Sequence, residues 1–246
     1  MLNLTLVLLL AFSASLKADF VLTETFDGSV LDHTKWDIYT SPSTPAGTAG
    51  SVSVANGTVT LANRGTIITK QEFSNGFDLV GRFRFDGVTD RFMVFTRSTG
   101  ASTNPWKDQD NGIFYNFQQD SGQVGISEWT VGGLSNPGNA YTSDANCWLN
   151  ALSSAPAYLP SNEWIDFRIT DNGSMVALYL GDLANPIVTA TTVLSPGNRI
   201  SFNNSYNPGQ VVSIDSVTVA SVPEPSALSL LVIGLGGLAM IRSRRL

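Results

Sequence analysis

The 246-residue chain has one cysteine, Cys147, and one histidine, His33. A lone cysteine cannot close an intrachain disulfide. Beside Trp148, Cys147 reads as a small apolar packing residue, because a catalytic thiol needs a histidine partner and the only one lies near the N-terminus. A single histidine also argues against a zinc hydrolase and against a Ser-His-Asp triad. Positive charge is scarce: between residues 19 and 222, ten Lys and Arg stand against nineteen Asp and Glu, a net charge of −9. That excludes a nucleic-acid partner. What is present is apolar (43 %), aromatic and rich in turn formers, with 22 Gly and 11 Pro. This composition excludes general disorder and leaves ample chain for one all-β core.

Both ends read as an address. Leu2 to Phe12 is an apolar run followed by Ser13-Ala14-Ser15 and Ala18, the pattern of a signal peptide over residues 1–18. The run has no polar face, as a buried N-terminal helix at the surface of a domain would need. The other end has three parts: Val222-Pro223-Glu224-Pro225-Ser226, an apolar helix over 227–241, and a basic tail over 242–246 with Arg242, Arg244 and Arg245. Fifteen apolar residues rise about 22 Å as a helix, so tilt and snorkelling arginines are needed to cross the membrane. The arginines belong on the cytoplasmic side, which puts the domain between the ends outside the inner membrane.

This tail, residues 222–246, resembles the PEP-CTERM sorting signal of Gram-negative bacteria in its Pro223-Glu224-Pro225 core, short helix and terminal arginines. The resemblance implies signal peptidase and an exosortase as processing partners, and delivery to the cell surface or extracellular matrix. An ordinary tail anchor is the alternative.

Between the ends, residues 19–221 read as one two-sheet antiparallel β-sandwich. Short β-branched and aromatic runs recur between Gly, Asn, Asp and Pro. Strands are expected at Phe20–Thr25, Ser51–Ala55, Thr58–Ala62, Thr66–Thr69, Phe77–Phe85, Arg91–Thr96, Ile113–Gln118, Val124–Thr130, Trp164–Thr170, Met175–Leu180, Arg199–Asn203 and Val211–Ala220. Asn56-Gly57 and Asp171-Asn172-Gly173 read as hairpin turns, since Asn and Gly tolerate positive φ. Ser98–Asn111 and Gly132–Asn162 read as long loops.

Thr23-Glu24-Thr25-Phe26-Asp27-Gly28 with Leu31-Asp32 and Trp36, together with Val212–Val219, resembles the opening and closing strands of concanavalin A-like jelly rolls, in particular the laminarinase and lichenase glycoside hydrolases. Trp164–Thr170 followed by Met175–Gly181 resembles a hairpin of laminin-G-like modules. The resemblance implies a catalytic Glu-x-Asp-x-Glu strand, alternating because every second side chain faces the cleft. The matching strand here runs Gly112-Ile113-Phe114-Tyr115-Asn116-Phe117, with Gly112, Phe114 and Asn116 where carboxylates belong. The lyases of this scaffold use a Gln-x-His strand, and no histidine is at hand. The resemblance also implies one structural Ca²⁺ held by the Thr25 and Gly57 carbonyls and the Asp215 carboxylate, hard oxygens of the kind calcium takes. The alternative for Asp215 is an edge cap or a Lys or Arg partner.

The same alternation offers another use. Phe114, Asn116 and Gln118 on one strand, with Ser127 and Trp129 on the next, set aromatic rings beside amides and hydroxyls, as a pyranose requires. Trp106 and Tyr141 are rim candidates. The competing reading buries Phe114 and Trp129 in the core, and a one-residue register change decides between them. Three functions follow: a non-catalytic glycan-binding surface protein, a structural or adhesive one without a small ligand, and a glycosidase or lyase working through Glu128 with Asp120 or Asp110.

Overall fold

The computed structural model describes residues 20–40, 49–73, 76–87, 91–100, 112–119, 123–129, 148–149, 159–192, 197–204 and 209–221; at 20, 21, 123, 127–129 and 148–149 it describes the backbone only. The expected signal peptide (1–18) and sorting tail (222–246) lie outside these residues, as do Cys147, Trp106, Tyr141, Asp110 and Asp120. Among the described residues no helix is long and apolar enough to cross a membrane.

The strands are β1 (Phe20–Glu24), β2 (Trp36–Thr40), β3 (Ser51–Ala55), β4 (Thr58–Ala62), β5 (Gly65–Thr69), β6 (Phe77–Phe85), β7 (Arg91–Ser98), β8 (Gly112–Gln118), β9 (Gln123–Trp129), β10 (Trp148–Leu149), β11 (Trp164–Asp171), β12 (Met175–Leu180), β13 (Val188–Thr191), β14 (Arg199–Asn204) and β15 (Val211–Ser221). They form two antiparallel sheets. The first has the order β13-β12-β11-β6-β15-β4-β3, with β1 added beside β15; the second has the order β10-β9-β8-β7-β14-β5-β2. The expected jelly-roll sandwich is what the chain builds. The sequence reading missed β2, β10 and β13. β10 has two residues, and β13 has four, directly behind Asn185-Pro186; neither is long enough to show a period. β2 alternates, but it emerges straight from the turn at Asp32.

Local chemistry explains the connections. At the β3–β4 hairpin Asn56 (φ 54°) and Gly57 (φ 72°) are both left-handed, as a two-residue turn matching strand twist requires. At the β11–β12 hairpin the Asn172 side chain accepts from Met175 N (2.8 Å) and Gly173 supplies a positive φ of 94°. The Glu24 carboxylate ties the opening segment down, accepting from Trp36 Nε1 (3.3 Å), Lys35 Nζ (3.1 Å) and Phe26 N (3.1 Å).

The core between the sheets is a phenylalanine cluster. Phe83 and Phe167 from the first sheet meet Phe92, Phe117 and Phe202 from the second. Ring centroids lie 4.5 Å apart for Phe83–Phe92, 5.1 Å for Phe83–Phe117 and 5.8 Å for Phe92–Phe167. Gly81 makes room for it, since a Cβ there would stand 2.6 Å from the Phe167 ring.

At one end of the sandwich the sheets are joined by charge. β7 carries a bulge, with register slipping between Ser201↔Phe95 and Arg199↔Ser98, and Arg97 within it has a φ of 52°. Its guanidinium reaches Asp171 at the end of β11 in a bidentate pair, Nε–Oδ2 2.8 Å and Nη2–Oδ1 2.7 Å. Both side chains are buried, 8 % and 3 % exposed. Nearby, burial pushes the Tyr115 phenol well above its ordinary range, so it stays protonated beside Thr96. Removing one partner of such a pair strands the other charge away from water. Asp171→Ala is therefore expected to cost about 3–5 kcal/mol in urea unfolding; a loss below about 1 kcal/mol would contradict the inter-sheet role assigned to the pair.

Candidate functional site

The second sheet has two faces of different chemistry. Val94, Ile113, Tyr115, Phe117, Ile126, Ile200 and Phe202 point into the core between the sheets. By strand alternation their neighbours Met93, Phe95, Phe114, Asn116, Ser201 and Asn203 point the opposite way. Met93, Phe95 and Phe114 form a second apolar cluster separate from the main core, with the Phe95 and Phe114 rings 4.9 Å apart. This settles the face of Phe114 and Asn116: they lie on the outward face, away from the inter-sheet core.

Strand pairing orders that face into rows. Thr66, Asn203, Met93, Asn116 and Gly125 lie in register across five strands. A second row runs Ile68, Ser201, Phe95, Phe114 and Ser127. Gln118 pairs with Arg91 and Gln123, and Trp129 pairs with Gly112. The five residues expected to line a ligand face thus fall on adjoining strands, β8 and β9. The side chains of Ser127, Trp129 and Glu128 lie outside the described part.

The face is polar and buried at once. Asn116 (2 %), Asn203 (2 %) and Ser201 (0 %) are withdrawn from solvent, as are Phe95 (0 %) and Phe114 (4 %), whereas Gln118 is half-buried. Asn116 Nδ2 donates to Gln118 Oε1 at 3.5 Å, a long contact. Ser201 Oγ and Asn203 Nδ2 have no hydrogen-bond partner, unusual for buried polar atoms. β14 was legible in sequence as a strand, but its place beside β7 was not, so Ser201, Asn203 and Thr66 of β5 were missed.

Among the described side chains, charge on this face lies at its ends. The one carboxylate among its described side chains is Asp37 of β2. Arg199 Nη2 donates to it at 2.7 Å, and Lys70 Nζ stands 3.5 Å away. Burial alone would raise the Asp37 pKa, but the hydrogen bond and charge of Arg199, with Lys70, hold it below its ordinary 3.8. A carboxyl with a depressed folded pKa stabilises above the unfolded pKa and loses that contribution as pH falls through the folded value. Wild type and Asp37→Asn are therefore expected to differ in Tm at neutral pH and to draw together as pH falls below 3.8 and through the folded pKa; a difference that does not narrow on acidification would contradict the pairing.

Of the residues expected to hold calcium, Thr25 and Gly57 come together, while the Asp215 carboxylate is shown beside Arg82. β15 pairs with β4 through Val211–Ile214 and with β1 through Val217–Ala220 on the same side, and its register breaks between Ile214 and Ser216. Asp215 sits in that break, while Thr25 follows β1 and Gly57 precedes β4. Thr25 O and Asp27 Oδ1 line the space a Gly57 side chain would fill, 3.8 and 3.6 Å from its Cβ position. Asp27, not singled out from sequence, is thus the carboxylate shown beside Gly57. The Asp215 carboxylate is 3.8 Å from Arg82 Nη1, the alternative partner foreseen for it. Among the described residues no group of three or more His, Cys, Asp or Glu side chains gathers as a metal cluster. A cation here would rest on carbonyls plus one or two aspartates, which is calcium chemistry rather than zinc chemistry.

The fold and the family it matches make this a carbohydrate-related jelly roll. The chain belongs to the 3-keto-α-glucoside-1,2-lyase-like domain family, whose model matches residues 22–193. No curated protein matches the sequence. Among solved structures, the β-glucanase of Bacillus licheniformis superposes with a TM-score of 0.55 at 14 % identity, covering 82 % of this chain and 98 % of that one. A carbohydrate-binding module of Bacillus subtilis gives 0.54 at 12 % identity, over 76 % and 96 %. The exoplasmic/lumenal domain of VIP36, in its Ca²⁺/Man3GlcNAc-bound form, gives 0.55 at 13 % identity, over 80 % and 87 %. At such identities these likenesses establish the fold, which glycosidases and carbohydrate-binding domains share.

Proposed function

We propose that this is an exported, surface or extracellular-matrix protein that binds glycan on the outward face of its second sheet without cleaving it. The observation that carries the reading is that face: a Phe95–Phe114 pair beside rows of amides and hydroxyls, on the side of the sheet away from the core. Aromatic surface accepts the apolar side of a sugar ring, and amides satisfy its hydroxyls. The carbohydrate-binding module and the lumenal domain among the similar structures support it. Export is read from the signal peptide over 1–18 and from the sorting tail, with signal peptidase and an exosortase acting on the chain and the tail at least transiently in the inner membrane.

Family membership favours a second reading, a lyase acting on a 3-keto glucoside. Elimination beside a ketone needs a base for the proton next to the carbonyl. Among the described side chains of the face the single carboxylate is Asp37, already committed to Arg199 and Lys70. Asp110 and Asp120 are the remaining candidates for that role, together with Glu128, which register sets opposite Ile113 in a core-facing row. A glycan array probed with the purified protein is expected to retain defined polysaccharides intact. Trp129→Ala and Asn116→Ala should each weaken retention about tenfold or more, a loss of about 1.4 kcal/mol. Release of an unsaturated keto sugar together with the free alcohol, stopping in Glu128→Gln, would establish the lyase instead.

One structural calcium at the Thr25–Gly57–Asp215 junction, with Asp27, belongs to the same proposal. It would clamp the first strand to the last in a domain with no disulfide. EGTA is expected to lower Tm and added Ca²⁺ to restore it, and the response should vanish in Asp27→Asn/Asp215→Asn. A melting curve indifferent to both additions would remove the metal.

A further inference from the structure

We propose that Ser201 and Asn203, on β14, are hydrogen-bonding residues of the outward face and that they select an uncharged sugar; this rests on the glycan-binding reading of that face. Both residues alternate with Ile200 and Phe202, which belong to the inter-sheet core, so both point to the side of Met93, Phe95 and Phe114. Register sets Asn203 beside Met93 and, one strand on, Asn116; it sets Ser201 beside Phe95 and then Phe114. The two polar groups therefore flank the aromatic pair on the strand opposite the one identified from sequence.

Their hydrogen-bonding state is the informative feature. Asn203 is 2 % exposed and Ser201 0 %, and neither Asn203 Nδ2 nor Ser201 Oγ has a partner. A donor shut away from water without an acceptor destabilises the fold. Alanine or valine would avoid that cost with the same strand pairing. A ligand that brings an acceptor, such as a sugar hydroxyl, ring or carbonyl oxygen, removes the deficit at Asn203 Nδ2, and Ser201 can donate or accept.

Charge decides the class of ligand. Among the described residues the cationic side chains of the face lie at its ends: Arg199 and Lys70, both at Asp37 (2.7 and 3.5 Å), and Arg91, paired with Gln118 at the far end of β8. Between them the rows contain Thr, Ser, Asn, Phe, Met, Ile and Gly. A uronate carboxylate or a sulfate seated on Asn203 would be buried with no counter-charge from the described residues, which is strongly unfavourable. A neutral pyranose meets no such penalty.

The test uses the full-length chain purified in detergent and two panels of polymers: neutral (laminarin, mannan, starch) and uronate (polygalacturonate, alginate). The wild type is expected to bind a neutral polymer at least tenfold more tightly than any uronate polymer. Asn203→Ala should weaken that binding at least tenfold, and Ser201→Ala in the same direction, while Tm stays unchanged or rises by about 2–4 °C because an unsatisfied buried group has been removed. A structural role predicts the reverse, a lower Tm in both variants, and would overturn the assignment. Undiminished binding by Asn203→Ala would also overturn it while leaving the glycan reading intact. Preference for a uronate polymer would overturn the class of ligand. A wild type that binds neither panel would remove the binding reading and this inference together.

Discussion

Everything on the outward face of the second sheet depends on the phenylalanines that lock the two sheets together. Phe83 is the hinge of that contact, within 5.1 Å of both Phe92 and Phe117 across the interface and 5.8 Å from Phe167 within its own sheet. Five aromatic rings meeting edge to face and offset leave no freedom for a strand to slip, because a one-residue shift would turn each ring to the other face of its sheet and bring its polar or mismatched neighbours inward. With Phe92 and Phe117 fixed inward, Met93 and Asn116 must face outward. With Phe202 inward, Ser201 and Asn203 must face outward too. The chemistry of the candidate site is thus a consequence of core packing one atom layer away.

That consequence has an unusual form. The central strands of the second sheet are buried along almost their whole length on both sides, β5, β7, β8 and β14 alike. In an antiparallel sandwich one face of a sheet commonly meets water and reads as polar by alternation. Here the polar residues are present, but they are withdrawn from solvent and two of them are left without partners. A buried polar surface with spare hydrogen-bonding capacity is a poor way to stabilise a domain and a good way to recognise another polar molecule. The bulge at Arg97 and its ion pair with Asp171 hold the end of the same strand, β7, against the first sheet. The two sheets are therefore coupled both by apolar contact and by charge around the site.

Much of the fold was legible from residue pattern. Ser51–Ala55, Thr58–Ala62, Phe77–Phe85 and Met175–Leu180 begin and end where alternation and turn residues put them. The Asn56-Gly57 turn adopts the left-handed angles its residues prefer. The opening motif was legible because Glu24 and Trp36 hydrogen-bond each other. Short edge strands such as β10 and β13 were not, because two to four residues cannot display a period. The site was half legible. Alternation along Phe114-Tyr115-Asn116-Phe117-Gln118 showed which residues share a face, but not which face it was, since phenylalanine occupies both. Nothing local announces that β14 lies beside β7, about a hundred residues earlier in the chain, so Ser201 and Asn203 could be found only from the pairing. Asp27 was overlooked for a similar reason: its nearness to Gly57 arises from strands brought together by β15.

The most direct measurement is a crystal structure of the protein with a bound neutral oligosaccharide. The account predicts a pyranose ring seated on the β8–β7–β14 face, within hydrogen-bond reach of Asn116 and Asn203. A sugar found instead in the recess of about 250 Å³ lined by Val30, Leu31, His33, Ile38, Val52 and Ser53, beside the edge strands β2 and β3, would contradict it.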